Sequence, residues 1–153
     1  MKSVWWKCSL GHSWKAKISD RTILEGKCTV CESEYRSVFP GLAVAYYANQ
    51  KGLKVQLGSD KLLGIPLETY IPSEKLAIEF TSGSEHMEVL KIHLCKQRNI
   101  KLVKLPFKSS ETEAEYADRV KAVFKSVHIF IYSDVEADVS IIRAKFNEWR
   151  KRL

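Results

Sequence analysis

The 153-residue chain has no apolar run long enough to span a membrane, and it contains only 4 cysteines. The first absence excludes a helical membrane protein, and no membrane partner is expected. The chain does not open on a charged start followed by an apolar stretch, so we expect no secretory leader. Cys95 has no spare cysteine to pair with, so we expect no secreted disulfide framework and predict a cytoplasmic protein.

Acidic residues are fewer than basic residues. The sequence has 18 Asp and Glu against 25 Lys and Arg, a net charge of +7. The excess is uneven, because residues 91–108 hold six basic and no acidic residues and residues 1–34 are also basic. Such clustering is typical of phosphate binding, and equally of a charged face that keeps a protein soluble. Both interpretations stay open.

The N-terminal segment contains four residues of the types that bind zinc. Cys8 and His12 form one pair, and Cys28 and Cys31 form a second pair after a gap of 15 residues. Three thiolates and one imidazole complete a tetrahedral Zn²⁺ site, which is structural because no position is left for a catalytic water. We predict a zinc ribbon whose folding free energy comes from the metal. The alternative is a redox Cys-x-x-Cys pair with an unrelated Cys and His upstream.

The length allows two units. We predict a zinc ribbon at residues 1–34 and a second domain at residues 35–153, with residues 32–38 as the linker. A domain of about 115 residues is large enough to bury a core. Hydrophobic periodicity predicts, in chain order, a helix at 40–50, strands at 53–57, 67–71 and 76–80, a helix at 85–98 and a strand at 100–105.

The last third of the chain has clear helix-start signals. Ser110 with Glu113, and Ser133 with Glu136, fit the pattern of a capping box, and each predicts the start of a helix. A short strand is predicted between them at residues 128–132. Acidic residues that include Asp138 begin the last helix and match its dipole. The predicted fold is therefore an α/β sheet domain with a C-terminal helix-strand-helix.

Two acidic residues interrupt apolar strands. Glu68 lies in the strand at 67–71 and Glu79 in the strand at 76–80, where an unpaired charge is costly. If the strands form a hairpin, both carboxylates converge on one edge of the sheet, and Mg²⁺ binds such a pair together with waters and phosphate. The alternative is a solvent-facing glutamate paired with a surface lysine such as Lys75.

Two further residues follow the second acid. His86 and Lys91 lie at and beyond the start of the next helix, and Lys91 could stabilise charge beside a metal-bound water or phosphate. Each also has a plain structural interpretation. His86 fits an exposed helix start, and Lys91 is well spaced for an ion pair with Glu88 on the same helix.

These motifs resemble the PD-(D/E)XK (restriction-endonuclease-like) nuclease superfamily, with its αβββαβ core. Within the superfamily, the sequence motifs are closer to those of the very-short-patch-repair-like branch, whose members commonly carry a ribbon of the Trp-x-Cys-x-x-x-His type. Residues 67–72 and 77–82 are similar to the two acid-bearing strands of that branch. The resemblance places Glu68 and Glu79 on its metal-binding acids, and His86 and Lys91 on its recurring histidine and helix lysine.

The resemblance implies a DNA endonuclease in which Mg²⁺ or Mn²⁺ is the catalytic metal and Zn²⁺ is structural. The chain departs from the pattern at Glu68, which replaces an aspartate, and at Thr81, where the lysine that usually follows the second acid by two residues is absent. These departures leave a second hypothesis, a degenerate relative of the nucleases that binds DNA or RNA without cutting it.

The predicted ribbon is the second candidate contact with nucleic acid. We expect DNA, or alternatively RNA, to contact its basic and aromatic residues: Lys7, Trp14, Lys15, Lys17 and Arg21. The alternative for the tryptophans, Trp6 included, is that they cover the metal site. A homodimer and a larger defence or mobile-element complex are both compatible with a chain this small.

Overall fold

The computed structural model describes the backbone of residues 3–7, 13–17 and 29–151, and the side chains of residues 32–150. The chain divides into two compact units, Met1–Val38 and Phe39–Leu153. Within the described ranges, no helix is both long and apolar enough to cross a membrane.

The N-terminal unit contains one antiparallel strand pair. Strand β1 (Ser3–Lys7) pairs with β2 (Ser13–Lys17), and Lys7 lies opposite Ser13. Directly opposite residues share a face of a β-ladder and alternate positions belong to opposite faces. Trp14, opposite Trp6, is therefore on the other face of the ladder from Lys15.

Helix α1 (Thr29–Gln50) begins eleven residues before its predicted start at Pro40. The predicted linker at residues 32–38 is helical as well. The sequence placed Pro40 in a first turn, because an interior proline lacks the N–H that bonds to the preceding turn. Buried residues recur at steps of four on both sides of it (Tyr35, Phe39 and Ala43), and this continuous buried stripe keeps the helix intact.

The second unit is built on a four-stranded sheet in the order β3-β4-β5-β6. The strands are β3 (Gln56–Ser59), β4 (Leu67–Ile71), β5 (Leu76–Glu79) and β6 (Lys101–Lys104). Strand β4 is antiparallel to both of its neighbours, β3 and β5, whereas β5 and β6 are parallel. The prediction of a mixed α/β domain is thus confirmed, with β4 at its predicted bounds.

The connections on either side of β5 differ because the strand pairings differ. A 3₁₀ turn (Pro72–Glu74), followed by Lys75 in the left-handed region at φ 48°, joins the antiparallel strands β4 and β5. Helix α2 (Glu85–Gln97) makes the crossover that the parallel pair of β5 and β6 requires. Asn99 after α2 has φ 57°, as the sequence predicted.

The core lies on both faces of the central strands. Every residue of β5 is buried, and Leu67, Tyr70 and Ile71 of β4 are buried as well. Phe39 from α1 packs against Phe107 and Tyr116 with ring centroids 5.5 and 6.0 Å apart. The aromatic contacts join α1 to α3 (Glu113–Ser126).

Helix α3 is opened by a capping box two residues after the predicted one. Thr112 accepts a hydrogen bond from the Glu115 N–H at 3.2 Å, and Glu115 accepts one in return from the Thr112 N–H. The capping-box pattern occurs twice here, as Ser110 with Glu113 and as Thr112 with Glu115. The prediction took the first of the two. Glu113, the acid of the predicted box, instead forms an ion pair with Arg143 at 2.8 Å.

The predicted strand at residues 128–132 and the second predicted capping box are wrong. Residues 128–132 are irregular, with His128 at φ 63°, and they do not join the four-stranded sheet. Helix α4 (Val135–Lys151) is capped by Asp134, whose carboxylate accepts from the Ala137 N–H at 3.1 Å. Ser133 donates its hydroxyl to Asp138 instead, at 2.7 Å.

Candidate functional site

The two strand-borne acids lie opposite each other. The β4–β5 register pairs Thr69 with Ile78, so the next step toward the sheet edge pairs Glu68 with Glu79. Directly opposite residues share a face, and like charges there repel. Each of the two side chains shifts the pKa of the other, so the two carboxyl groups interact. The structure therefore brings Glu68 and Glu79 together, an arrangement we call the acid pair.

Glu79 is the buried member, with no exposed side-chain surface. Both carboxyl oxygens accept from the Glu68 N–H at 3.4 Å, and Oε1 lies 3.0 Å from Lys91 Nζ. Burial raises the pKa of Glu79 to about 7 and the Glu68 carboxyl adds to the rise, while Lys91 opposes both. Glu79 therefore carries a proton for a large part of the time at neutral pH.

The surroundings of Glu68, in contrast, favour its ionised form. Its Oε1 accepts from the Thr81 N–H at 2.9 Å and from the Phe80 N–H at 3.1 Å. Burial opposes ionisation of Glu68, but the hydrogen bonds from Glu79, Thr81 and Phe80 outweigh it and lower the pKa. The acid pair thus titrates as a unit in which the ionised form of Glu68 and the protonated form of Glu79 are favoured.

Helix α1 helps to hold the backbone that binds Glu68. A Cβ added to Gly41 would lie 3.4 Å from the Phe80 ring, so the helix packs tightly on the residue that follows Glu79. Gly41 allows this close approach because it has no side chain.

Lys91 reaches the acid pair from α2. The sequence left open an ion pair with Glu88 on the same helix, but Lys91 contacts Glu79 and Glu88 contacts Lys104. The step from Glu88 to Lys91 puts both on one helix face, and that face meets β5 and β6. Cys95, one turn further on, is buried beneath them, and burial raises the pKa of its thiol.

His86 is not brought to the acid pair. Its side chain is exposed in the first turn of α2, whereas Lys91 reaches Glu79 from the next turn. Residues five positions apart do not share a helix face, so only one of the two can point at the sheet. The predicted phosphate contact of His86 stays a prediction.

Lys104 is a basic residue beside the acid pair that the sequence did not single out. It lies directly opposite Glu79 on the neighbouring parallel strand β6. Its Nζ lies 2.5 Å from Glu88 Oε2, and Glu88 Oε1 accepts from the Gly83 N–H at 3.1 Å. The one sequence signal was the basic run at 91–108, which does not distinguish Lys104 from its five companions.

The acid pair offers two neighbouring carboxyl groups, the ligand type that a divalent cation would need. Among the described residues there is no cluster of three or more His, Cys, Asp and Glu side chains suited to a metal ion. Two carboxylates fit Mg²⁺ or Mn²⁺ if water and a phosphate complete the shell. A cation between Glu68 and Glu79 would take the place of the proton that Glu79 holds.

The predicted zinc ligands lie outside the described residues. Cys8, His12 and Cys28 are beyond the described ranges, and Cys31 is described only as a backbone position in α1. Lys7 and Ser13, which flank Cys8 and His12 in sequence, face each other in the β1–β2 ladder.

The predicted nucleic-acid contacts of the N-terminal unit are described only as backbone. Lys7, Lys15 and Lys17 occupy ladder positions of one face, and Trp14 occupies the other. Arg21 lies outside the described residues. The predicted contact set therefore divides between two faces of the strand pair.

Comparison with known proteins identifies one part of the chain. Residues 1–34 match a family model, DUF4379, described as a "Probable Treble clef zinc finger domain". The match supports a zinc-finger-like N-terminal segment with structural zinc. No curated protein and no solved structure matches the chain. The acid pair and its sheet must therefore be interpreted from their own chemistry.

Proposed function

We propose that this protein is a metal-dependent endonuclease that hydrolyses phosphodiester bonds of DNA at the acid pair. The observation that carries the proposal is the juxtaposition of Glu68, Glu79 and Lys91. Two acidic residues lie opposite each other on the two central strands of the sheet, and a lysine from a different element lies 3.0 Å from the more buried one. Buried acids with pKa values driven apart are frequent at catalytic centres.

The roles follow from the environment of each side chain. Glu68 and Glu79 would hold Mg²⁺ or Mn²⁺, which supplies an activated water and neutralises charge on the scissile phosphate. Glu68 is fixed by the backbone N–H groups of Phe80 and Thr81, so its carboxylate is preorganised. Lys91 keeps its ammonium at the same place and can stabilise negative charge on the phosphate.

The order of elements supports the same proposal. Helix, three antiparallel strands, helix and a parallel fourth strand are the arrangement that the nuclease resemblance implies. Lys91, on α2, takes the place of the lysine missing at Thr81. The zinc finger match and the net charge of +7 are in accord with a nucleic-acid substrate.

Plasmid cleavage tests the proposal. Supercoiled plasmid incubated with Mg²⁺ or Mn²⁺ should be nicked or linearised, and Glu79→Gln should slow the reaction on the order of 100-fold. Glu85→Gln is the matched control, because it makes the same change at an exposed position at the start of α2. Cleavage by Glu79→Gln at the wild-type rate would contradict the proposal.

A second function is favoured by one observation at the same place. The Glu68 carboxylate already accepts from the backbone N–H groups of Phe80 and Thr81, and Lys91 already forms an ion pair with Glu79. Carboxylates held by partners within the protein also fit a nucleic-acid-binding protein that does no chemistry. That function predicts salt-sensitive DNA binding with no metal-dependent nicking by the wild type.

A further inference from the structure

The carboxylate of Glu88 is held by two donors of the kind that bind phosphate. The Gly83 N–H donates to Oε1 at 3.1 Å, and Lys104 Nζ lies 2.5 Å from Oε2. Backbone N–H groups and lysine ammonium groups are common partners of nucleic-acid phosphate oxygens. The two donors belong to different elements, the loop before α2 and strand β6, and they converge on one carboxylate.

This pair of donors lies next to the acid pair. Lys104 and Glu79 are register partners on adjacent parallel strands, so their backbones are about 4.8 Å apart. Glu88 and Lys91 lie one turn apart on α2, and each contacts one of those two strand residues. An anion bound by Gly83 and Lys104 would therefore be a neighbour of any phosphate at Glu79.

The Glu88 carboxylate can leave this position at little cost. Its side chain is 26% exposed and that of Lys104 is 35% exposed. Ion pairs at such exposure contribute little to stability, and a rotation of the Glu88 side chain is enough to break this one. The hydrogen bond from Lys104 and then that from the Gly83 N–H lower the pKa of Glu88, so the position favours an anion.

We propose that the Gly83 N–H and Lys104 form a binding site for one backbone phosphate of DNA, which Glu88 occupies when no DNA is bound. The inference rests on the proposed function, since the phosphate belongs to the polymer that the acid pair would cut. Glu88 is then an internal competitor of the substrate. Removing its charge should strengthen DNA binding, while removing the charge of Lys104 should weaken it.

Binding of a labelled 20-base-pair DNA duplex, followed by fluorescence anisotropy in EDTA, measures both effects without cleavage. Lys104→Gln should weaken binding about fivefold and lower the slope of log affinity against log salt by about 1. Glu88→Gln keeps an oxygen for the Gly83 N–H and should strengthen binding about threefold by freeing Lys104. The double variant should bind like Lys104→Gln, because Glu88 acts through Lys104.

Lys101→Gln is the matched control. It removes the same charge from the same strand, three residues earlier, at a lysine bonded to Ser126. Equal weakening by Lys101→Gln and Lys104→Gln would mean that only net charge matters, and the inference would be overturned. Unchanged or weaker binding by Glu88→Gln would overturn it as well.

The two proposals fail separately. A wild type that cuts no plasmid but shows the opposite binding effects of Glu88→Gln and Lys104→Gln would overturn the endonuclease and leave the phosphate site standing. A wild type that cuts plasmid, together with Lys104→Gln that binds like the wild type, would overturn the phosphate site alone.

Discussion

Glu79 and Asp138 are both buried carboxylates in the second unit, at 0% and 2% exposure, yet their surroundings differ. Asp138 accepts hydrogen bonds from three hydroxyl groups: Ser133 at 2.7 Å, Tyr47 at 2.9 Å and Tyr46 at 3.2 Å. These three donors, together with Lys121 Nζ at 3.9 Å, satisfy the buried charge, so Asp138 joins α4 to α1 as part of the core.

Glu79 has a poorer set of donors for an ionised carboxylate. It faces a second acid, Glu68, and receives one backbone N–H at 3.4 Å and the ammonium of Lys91. Its pKa is raised to about 7 by burial and by Glu68, so the charge is incompletely compensated. The comparison teaches that burial alone does not mark a functional acid. What distinguishes Glu79 is the second acid beside it, because two neighbouring carboxylates are a pair that a cation could bind.

The largest effect on the free energy of unfolding should come from Asp138, the acid whose charge is satisfied by hydrogen bonds. Asp138→Ala removes the acceptor of three hydroxyl groups in the core, and we expect a loss of about 3 kcal/mol in the free energy of unfolding. Urea unfolding measures it, with Asp60→Asn at an exposed loop position as the control. A loss below about 1 kcal/mol would remove the distinction between the two acids.

The next effect is the pH dependence that Glu79 should impose. The folded state raises the pKa of Glu79 to about 7, compared with about 4.3 in the unfolded chain. The contribution of protonated Glu79 to the free energy of unfolding is therefore fully present below about pH 4.3 and is lost as the pH rises through about 7. We expect Glu79→Gln, which cannot ionise, to gain on the order of 2 kcal/mol relative to the wild type between pH 5 and pH 8. Urea unfolding of both proteins at the two pH values measures this gain. A difference independent of pH would contradict it.

The smallest effect on stability should come from removing one hydrogen-bond donor to Asp138. Tyr47→Phe removes one of the three hydroxyl groups on Asp138 and should cost about 1 kcal/mol. Tyr132→Phe is the control, because Tyr132 is 87% exposed. Thermal unfolding of the two variants compares them. Equal stabilities would show that Asp138 does not depend on Tyr47.

Much of the fold could be predicted from short stretches of sequence. The apolar strand predicted at residues 67–71 is β4, and Asn99 follows α2 in the left-handed conformation as predicted. The acids were found in the same way, because Glu68 and Glu79 interrupt apolar strands. Each of these signals is carried by a few consecutive residues.

The partners of the charged residues could not be predicted. The helical spacing of Glu88 and Lys91 allowed a pair between them, but each pairs with a different strand. Asp138 was interpreted as a helix-dipole residue, and only the packing of α4 near α1 shows that it binds tyrosines more than 90 positions away. An ion pair depends on which distant groups compete for the same charge.

The sequence by itself determined the α/β class, the four residues of the zinc-ligand types and the two acids on adjacent strands. These depend on local periodicity and residue chemistry. Only the tertiary structure decided that α1 continues through Pro40, that residues 128–132 form no strand, and that Lys91 and Lys104 lie beside Glu79. The reason is physical, since a buried helix face, a strand and an ion pair each need a partner that folding brings from elsewhere in the chain.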